Sequence, residues 1–285
     1  MKWPELLFNY FILSRLPLTS QRNQINKKLN KEPLILITND DGITAPGIKN
    51  LVQIAKKISR RLVVVAPDSP QSGMGHAITM NAMLRLNPMK LEGVEAYSCS
   101  GTPVDCIKIA TAKVLKEKPA LILSGINHGS NSSINVIYSG TMSAAVEGAI
   151  EGIPSVGFSL CNSSIDANFQ AIHSFTEKII RFALDQEPKK FSCLNVNFPA
   201  VEEDFIRGIK VCRQAKAMWE EEFEERHDPQ GNAYYWLTGK FVNQEPDQKD
   251  TDEWALSHQY ISVVPVQFDV TCNEAIAPLK SLENV

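Results

Sequence analysis

The chain has 285 residues, of which 44% are hydrophobic and 21% charged, a composition typical of a soluble globular protein and not of a disordered one. The formal net charge of −3 argues against a nucleic-acid partner held by a strongly basic surface. The six cysteines form no Cys-x-x-Cys pair and no zinc-type cluster with histidine, which favours reduced cysteines and a cytoplasmic protein.

Residues 1–32 are predicted to form an N-terminal extension. The apolar stretch PELLFNYFIL is short, Asn9 interrupts it, and the following QRNQINKKLNK is polar and basic. A membrane span needs about 20 apolar residues, and a signal peptide needs a small-residue cleavage site. We therefore expect neither, and no membrane partner.

The next part of the chain alternates apolar strands with helical stretches and is predicted to be the core domain, residues 33–204. The predicted strands are LILIT (34–38), RLVVVAP (61–67), ALILSG (120–125), PSVGFSL (154–160) and SCLNVNFP (192–199). Helical spacing appears between them, for example in 141–152. Continuous apolar strands separated by helices predict an α/β fold, a Rossmann-like and mostly parallel sheet flanked by helices.

Oxygen-bearing side chains follow three of these strands. Asp40 and Asp41 end the first, the loop SPQSGMGHAIT with Ser72 follows the second, and Asn127 follows ALILSG. In open α/β sheets, ligands bind outside the carboxyl ends of the strands. Carboxylate and amide oxygens suit Mg²⁺ or Mn²⁺, although Asp-Asp-Gly is by itself also a common turn sequence.

An anion site is predicted where the turn Ser139-Gly140-Thr141 leads into a helix rich in small residues. The first amides of a helix have no partners within it and can bind phosphate. Helix capping by Ser139 or Thr141 is the alternative, and the two roles are compatible.

Six motifs in order carry a family resemblance: TNDDGITAPGI, VVAPDSPQSG, GTPVDCIKIA, LILSGINHGSN, YSGTMSAAVEGAIEGIPSVGFS and LNVNFP. Together they resemble the stationary-phase survival protein SurE family of metal-dependent nucleoside-monophosphate phosphatases. The stretches DPQGNAYYWLTG and TDEWALSHQYISVVPVQFDVT continue the resemblance, which covers roughly residues 33–272. The resemblance implies one divalent metal per subunit, Mg²⁺ or Mn²⁺. The residues it implies as metal ligands are Asp40, Asp41, Ser72 and Asn127, of which the two aspartates are also catalytic. Those it implies at the phosphate are Asn131, Ser139, Gly140 and Thr141.

Residues 205–285 are predicted to complete the same domain with a C-terminal hairpin and oligomerisation segments. The acidic run in KAMWEEEFEERHDP is typical of a solvated face, and YYWLTGKF reads as an aromatic strand. The resemblance implies that subunits exchange these segments in a homodimer or homotetramer. Packing of Tyr234, Tyr235 and Trp236 in their own core is the alternative. The chain departs from the family pattern at two positions: Ser130 stands where the family often has proline, and Gln230 stands where it usually has arginine.

The function implied by the resemblance is hydrolysis of 5′- and 3′-nucleoside monophosphates, with short polyphosphate as a further substrate. Either water or Asp40 is the nucleophile. A non-enzymatic nucleotide sensor is a second hypothesis. A haloacid-dehalogenase-type phosphatase is disfavoured because it uses Asp-x-Asp, whereas this chain has Asn39-Asp40-Asp41-Gly42. The loop histidines His76 and His128 are expected to be bystanders, and Trp236 is a candidate for stacking on the base.

Overall fold

The structure is a computed structural model that describes residues 32–164, 166–186 and 191–284. The predicted extension, residues 1–32, lies outside the described residues except for Glu32. From Leu34 onward the chain forms one compact unit.

Strands and helices alternate through most of this unit. The strands are β1 (Ile35–Thr38), β2 (Leu62–Pro67), β3 (Leu86–Leu91), β4 (Val94–Cys99), β5 (Leu121–His128), β6 (Ser155–Leu160), β7 (Cys193–Phe198), β8 (Ile209–Val211), β9 (Ala217–His227), β10 (Ala233–Asn243) and β11 (Ile261–Val266). The α-helices are α1 (Pro46–Lys56), α2 (Pro103–Ile109), α3 (Asn135–Tyr138), α4 (Gly140–Ile150), α5 (His173–Asp185), α6 (Asp252–Ser257) and α7 (Asn273–Leu279). A π-helical turn (Ala110–Val114) and the 3₁₀ turns Gln170–Ile172, Glu203–Phe205 and Lys280–Asn284 complete them. Within the described ranges, no helix combines the length and apolarity needed to cross a membrane.

The main sheet has nine strands in the order β3-β4-β2-β1-β5-β6-β7-β11-β8. The six strands from β4 to β7 in this order are parallel. At the two sides, β3 and β11 run antiparallel to their inner neighbours, and β8 is parallel to β11. The predicted mostly parallel α/β sheet is confirmed, and the antiparallel strands are features that the sequence analysis did not anticipate.

The apolar strands are continuous because both faces of the sheet are covered. Ile35 and Ile37 of β1 belong to one buried cluster, which includes residues of α1 and α5. Leu34 and Leu36 point the other way, into a cluster with residues of α2 and α4. Successive side chains of a strand lie on opposite faces, so a strand buried on both sides must be apolar at every position.

Helix α4 packs unusually close to the sheet because its inner face has small residues. A Cβ on Gly148 would lie 2.3 Å from Ser155 Oγ and 2.6 Å from Ile122 Cδ1. Real Cβ atoms do not approach other atoms this closely, so only glycine fits without a shift in the packing. This contact holds the last turns of α4 against the amino ends of β5 and β6.

Strands β9 and β10 form a separate antiparallel hairpin, as the sequence predicted for the C-terminal region. The side chains of Tyr234, Tyr235 and Trp236 are 41%, 59% and 57% exposed. The alternative that these aromatic residues pack in their own core is therefore wrong. The acidic run of β9 is also exposed, as expected for a solvated face.

All six cysteines are free thiols. Four of them are buried, Cys161 is half-buried and Cys272 is exposed. Burial raises the pKa of the Cys193 thiol to about 12. A buried thiol with such a pKa is an inert packing group, which agrees with the prediction that the cysteines are reduced.

Candidate active site

The turn after β1 presents two carboxylates without using either of them to close itself. Asn39 Nδ2 donates to Gly42 O at 2.8 Å, and Gly42 has a φ of +93°, a conformation that glycine adopts easily. Asp40 is buried and Asp41 is half-buried. The turn that the sequence suggested does exist, but Asn39 and Gly42 make it, so both aspartates are available for chemistry.

Asp40 lies directly against the start of α4. Thr141 Oγ1 donates to Asp40 Oδ1. A Cβ on Gly140 would lie 2.7 Å from the Cβ of Asp40, so only glycine allows the helix to approach this closely. The structure thus brings the first predicted carboxylate together with two residues of the predicted phosphate turn.

Burial disfavours the ionised form of Asp40 unless a nearby positive charge compensates it. Its side chain is 4% exposed, and burial, together with the nearby charge of Asp41, raises the pKa of Asp40 to about 6. The hydrogen bond from Thr141 acts in the opposite direction and lowers this pKa. A cation beside Asp40 would favour the charged form, because opposite charges stabilise each other strongly where water is excluded.

Asp41 is held by a residue that the sequence analysis treated as a bystander. His128 Nδ1 lies 3.3 Å from Asp41 Oδ2, and the backbone N–H of His128 donates to the same oxygen over 3.4 Å. The imidazole packs edge-on against Phe169, with 5.0 Å between ring centroids. His128 therefore orients one oxygen of Asp41, Oδ2.

We expect His128→Phe to weaken divalent-metal binding about tenfold, because residues that orient a metal ligand typically contribute 10- to 100-fold to affinity. The variant keeps an aromatic ring beside Phe169 but loses the nitrogen near Asp41. Calorimetric titration with Mn²⁺ measures the effect, and His258→Ala, which removes an exposed imidazole stacked on Trp254, is the control. Unchanged Mn²⁺ affinity in His128→Phe would contradict the orienting role.

The loop with Ser72 is tied to the first carboxylate through its neighbour. The backbone N–H of Gln71 donates to Asp40 O at 2.8 Å, which places the exposed Ser72 at the rim of the cleft. Farther along, His76 Nε2 lies 2.9 Å from Glu147 Oε2, and Lys108 Nζ donates to Glu147 Oε1 at 2.5 Å. His76 thus anchors the loop that contains Ser72 to α4.

Asn127, at the end of β5, is 9% exposed. Its Nδ2 donates to Gly129 O at 2.9 Å, so the amide oxygen is the atom left for a ligand. An amide whose nitrogen is held in this way presents its oxygen in one direction. This geometry is compatible with the predicted ligand role.

Ser139 caps α4, as the alternative for this residue predicted. Its Oγ accepts from Met142 N at 3.0 Å, and its carbonyl accepts from the hydroxyl of Ser143 at 2.7 Å. Capping fixes the first turn of the helix where it meets Asp40. The cap and an anion-binding helix start are therefore compatible at this position.

Asn131 belongs to a buried amide network that the sequence analysis missed. Its N–H donates to Asn197 Oδ1 and its Nδ2 to Ser159 Oγ, each at 2.8 Å. Asn195 Nδ2 donates to Asn131 O at 2.8 Å, and Asn197 Nδ2 donates to Asn195 Oδ1 at 2.9 Å. The motif LNVNFP could have revealed this network, because two asparagines on one face of a buried strand must find partners.

The predicted ligand set is rich in oxygen but contains only two anionic groups. Among residues 32–164, 166–186 and 191–284, no three His, Cys, Asp or Glu side chains are grouped to hold a metal. Asp40 and Asp41 with Ser72 and Asn127 would instead combine two carboxylates with neutral oxygens, a mixture that suits Mg²⁺ or Mn²⁺. Such an ion would fit beside Asp40, because its positive charge would compensate a buried carboxylate whose pKa is raised.

The parallel sheet has carboxylates, an amide and a helix start at its carboxyl edge. This arrangement is typical of Rossmann-like proteins, which bind phosphorylated ligands at that edge. The sequence profile of the family described as "Survival protein SurE" matches residues 35–221. The chain belongs to the SurE family.

Relatives of similar length agree with this assignment. The protein named 5'-nucleotidase SurE in Flavobacterium psychrophilum is 58% identical over 252 residues, which cover 88% of this chain and 97% of the relative. The protein of the same name in Christiangramia forsetii is also 58% identical, with the same coverage. The crystal structure of the SurE protein from Aquifex aeolicus has a TM-score of 0.76 at 36% identity and covers 88% of this chain and 100% of that one.

Proposed function

We propose that this protein is a metal-dependent nucleotidase that hydrolyses nucleoside monophosphates to nucleoside and phosphate. The observation that carries the proposal is the contact between Asp40 and the Gly140-Thr141 start of α4. It puts anionic oxygens that suit a cation next to a helix start that suits the phosphoryl group. The relatives named 5'-nucleotidase SurE support the same activity.

The chain's own residues supply positioning and charge complementarity. In the proposed reaction, the residues that would hold one Mg²⁺ or Mn²⁺ are Asp40, Asp41, Ser72 and Asn127. The ion would neutralise charge on the phosphoryl oxygens. In this proposal the turn Ser139-Gly140-Thr141 binds the remaining oxygens, together with the second N–H of the Asn131 amide, whose first N–H donates to Ser159 Oγ. Fixed donors of this kind stabilise the transition state because they need no reorganisation as the charge moves.

Water is the nucleophile in this proposal. Asp40 is buried and one of its oxygens already accepts from Thr141, whereas the side chain of Asp41 is 19% exposed. Asp41 is therefore the carboxylate that can orient a water molecule and accept its proton. The water oxygen bonds to phosphorus as the phosphorus–oxygen ester bond breaks, and the leaving alkoxide takes up a proton from solvent, which gives the nucleoside and inorganic phosphate.

The proposed substrates are 5′- and 3′-nucleoside monophosphates, with short polyphosphate as a further one. The phosphate site is made of helix-start amides and a cation, which recognise the phosphoryl group that all monoesters share. The six free cysteines support a reducing cytoplasm as the place of action.

The proposed assembly is a homodimer or homotetramer. Exposed apolar residues cluster in the hairpin and after β11, where Val270 is 96% and Leu282 66% exposed. Several exposed apolar side chains within one segment are typical of protein interfaces. The mass of the particle in solution, measured by light scattering, tests this part of the proposal.

A phosphate-release assay tests the activity. The purified protein is incubated with AMP and Mn²⁺ or Mg²⁺, with and without EDTA. We expect phosphate release that EDTA abolishes and that added metal restores. Binding of AMP without any phosphate release would favour the nucleotide sensor instead.

A further inference from the structure

A pocket of about 540 Å³ opens between the Ser72 loop and the β9–β10 hairpin. Its lining residues are Gly73, Tyr138, Trp219, Glu221, Leu237, Thr238 and Gly239. We infer that this pocket receives the base and sugar of the substrate and that Trp219 is the residue on which the base stacks. The inference rests on the proposed nucleotidase function and specifies its substrate site.

The pocket adjoins the segments proposed to hold the metal and the phosphate. Gly73 directly follows Ser72, a proposed metal ligand, and Tyr138 directly precedes Ser139, a proposed phosphate residue. Gly75 N donates to Tyr138 O at 3.2 Å, so the two segments meet. A phosphoryl group bound between them would point its ester oxygen toward the pocket. The volume lies within the range of about 300 to 1,000 Å³ that is typical of small-molecule sites.

Trp219 is a fixed aromatic surface. Its Nε1 donates to Asn135 Oδ1 at 2.8 Å, and its ring lies 5.5 Å from that of Phe241. The residue is nevertheless 45% exposed. A ring that is held on one side and open on the other can stack on a base with little loss of conformational freedom.

The register of the hairpin decides which aromatic residues face the pocket. Gly239 pairs with Glu221 and Phe241 pairs with Trp219, so these residues lie on one face together with Leu237. Trp236 is one position away from Leu237 and therefore points to the opposite face. We accordingly assign base stacking to Trp219 in place of Trp236, the candidate from the sequence.

Gly239 and Glu221 give the pocket its shape and charge. A Cβ on Gly239 would lie 2.4 Å from Glu220 O, so a flat strip of backbone is retained between the side walls. The lining, as far as the structure describes it, contains no Lys or Arg. Glu221 can accept hydrogen bonds from ribose hydroxyls or a base amino group, and its charge disfavours additional phosphates. These features select nucleoside monophosphates.

The test compares AMP with ribose 5-phosphate, which has the same phosphate and sugar but no base. Stacking in nucleic-acid sites is worth about 1 to 3 kcal/mol per base, or roughly 5- to 150-fold. We expect Trp219→Leu to lower the ratio of kcat/KM for AMP to that for ribose 5-phosphate by at least about fivefold. The matched control, Trp236→Leu, removes an indole from the other face of the same hairpin and should leave this ratio unchanged.

Each result is decisive for the inference. An unchanged ratio in Trp219→Leu, or a fall of the ratio in Trp236→Leu alone, overturns it while the nucleotidase function stands. Wild-type protein that releases phosphate from neither compound overturns the proposed function and the inference together. If circular dichroism shows that Trp219→Leu does not fold, Leu237→Ser replaces it. Leu237 is 61% exposed, and its loss should still lower the ratio.

Discussion

The Asp41→Asn variant is expected to lose divalent-metal binding and phosphate release together, with turnover falling by roughly 10³-fold or more. Asp40 and Asp41 are the anionic groups of the proposed ligand set. Removal of one charge leaves a hard cation with a single carboxylate and neutral oxygens. Asparagine has the shape of aspartate, so the change tests charge and proton acceptance and not packing. The hydrogen-bonding distance to His128 is also retained, because an amide oxygen can accept as well.

Calorimetric titration with Mn²⁺ and phosphate release from AMP measure the two effects on the same preparation. Asp68→Asn is the matched control, because Asp68 follows the neighbouring strand β2 but is exposed and accepts from Ser69 Oγ at 3.0 Å. This control should retain both metal binding and turnover. Full turnover of Asp41→Asn in the presence of EDTA would refute the metal-dependent mechanism.

The Asp40→Asn variant is expected to be inactive and yet more stable than the wild type when metal is absent. Burial raises the pKa of Asp40 from 3.8 in an ordinary environment to about 6 in the folded protein. Folding therefore favours the protonated acid. The stability that the protonated Asp40 side chain contributes is fully present below pH 3.8 and is lost as the pH rises through 6. At pH 8 the folded protein must hold a buried charge, which asparagine removes.

The free energy of unfolding in urea, measured with EDTA at pH 5 and pH 8, tests this expectation. At pH 8 the free energy of unfolding of Asp40→Asn should exceed that of the wild type by roughly 2 kcal/mol. This is somewhat less than the free energy that corresponds to the full pKa difference, because the new amide needs its own hydrogen-bond partners. The gain should shrink toward pH 5. A variant that is less stable than the wild type at both pH values would show that the charge of Asp40 is already compensated without metal.

These two variants separate the roles of the adjacent aspartates. Asp40 is buried against α4, so its charge affects folding as well as metal binding. Asp41 is more exposed and reaches His128 across the cleft. A site that costs stability in the free protein and recovers it on binding metal is a common form of the trade-off between stability and function.

The sequence was sufficient for the features that depend on local pattern. Continuous apolar runs such as that of β1 predicted a sheet buried on both faces, and the chain order of the motifs predicted which strand ends meet. The turn chemistry after β1 and the glycine of Ser139-Gly140-Thr141 were also visible. Periodicity and turn residues act over a few positions, so they can be read from one segment at a time.

The tertiary structure alone decided which side chains meet across segments. No local pattern relates His128 to Asp41, 87 positions apart, or Thr141 to Asp40, 101 positions apart. The choice of Trp219 over Trp236 depends on hairpin register, in which a shift of one residue reverses the face of every side chain. The sequence by itself determined the fold class and the oxygen-rich strand ends. The close packing of α4 on the sheet determined the burial of Asp40, and the pairing of β9 with β10 determined the walls of the pocket. Contacts between distant segments such as these are fixed only when the whole core is packed.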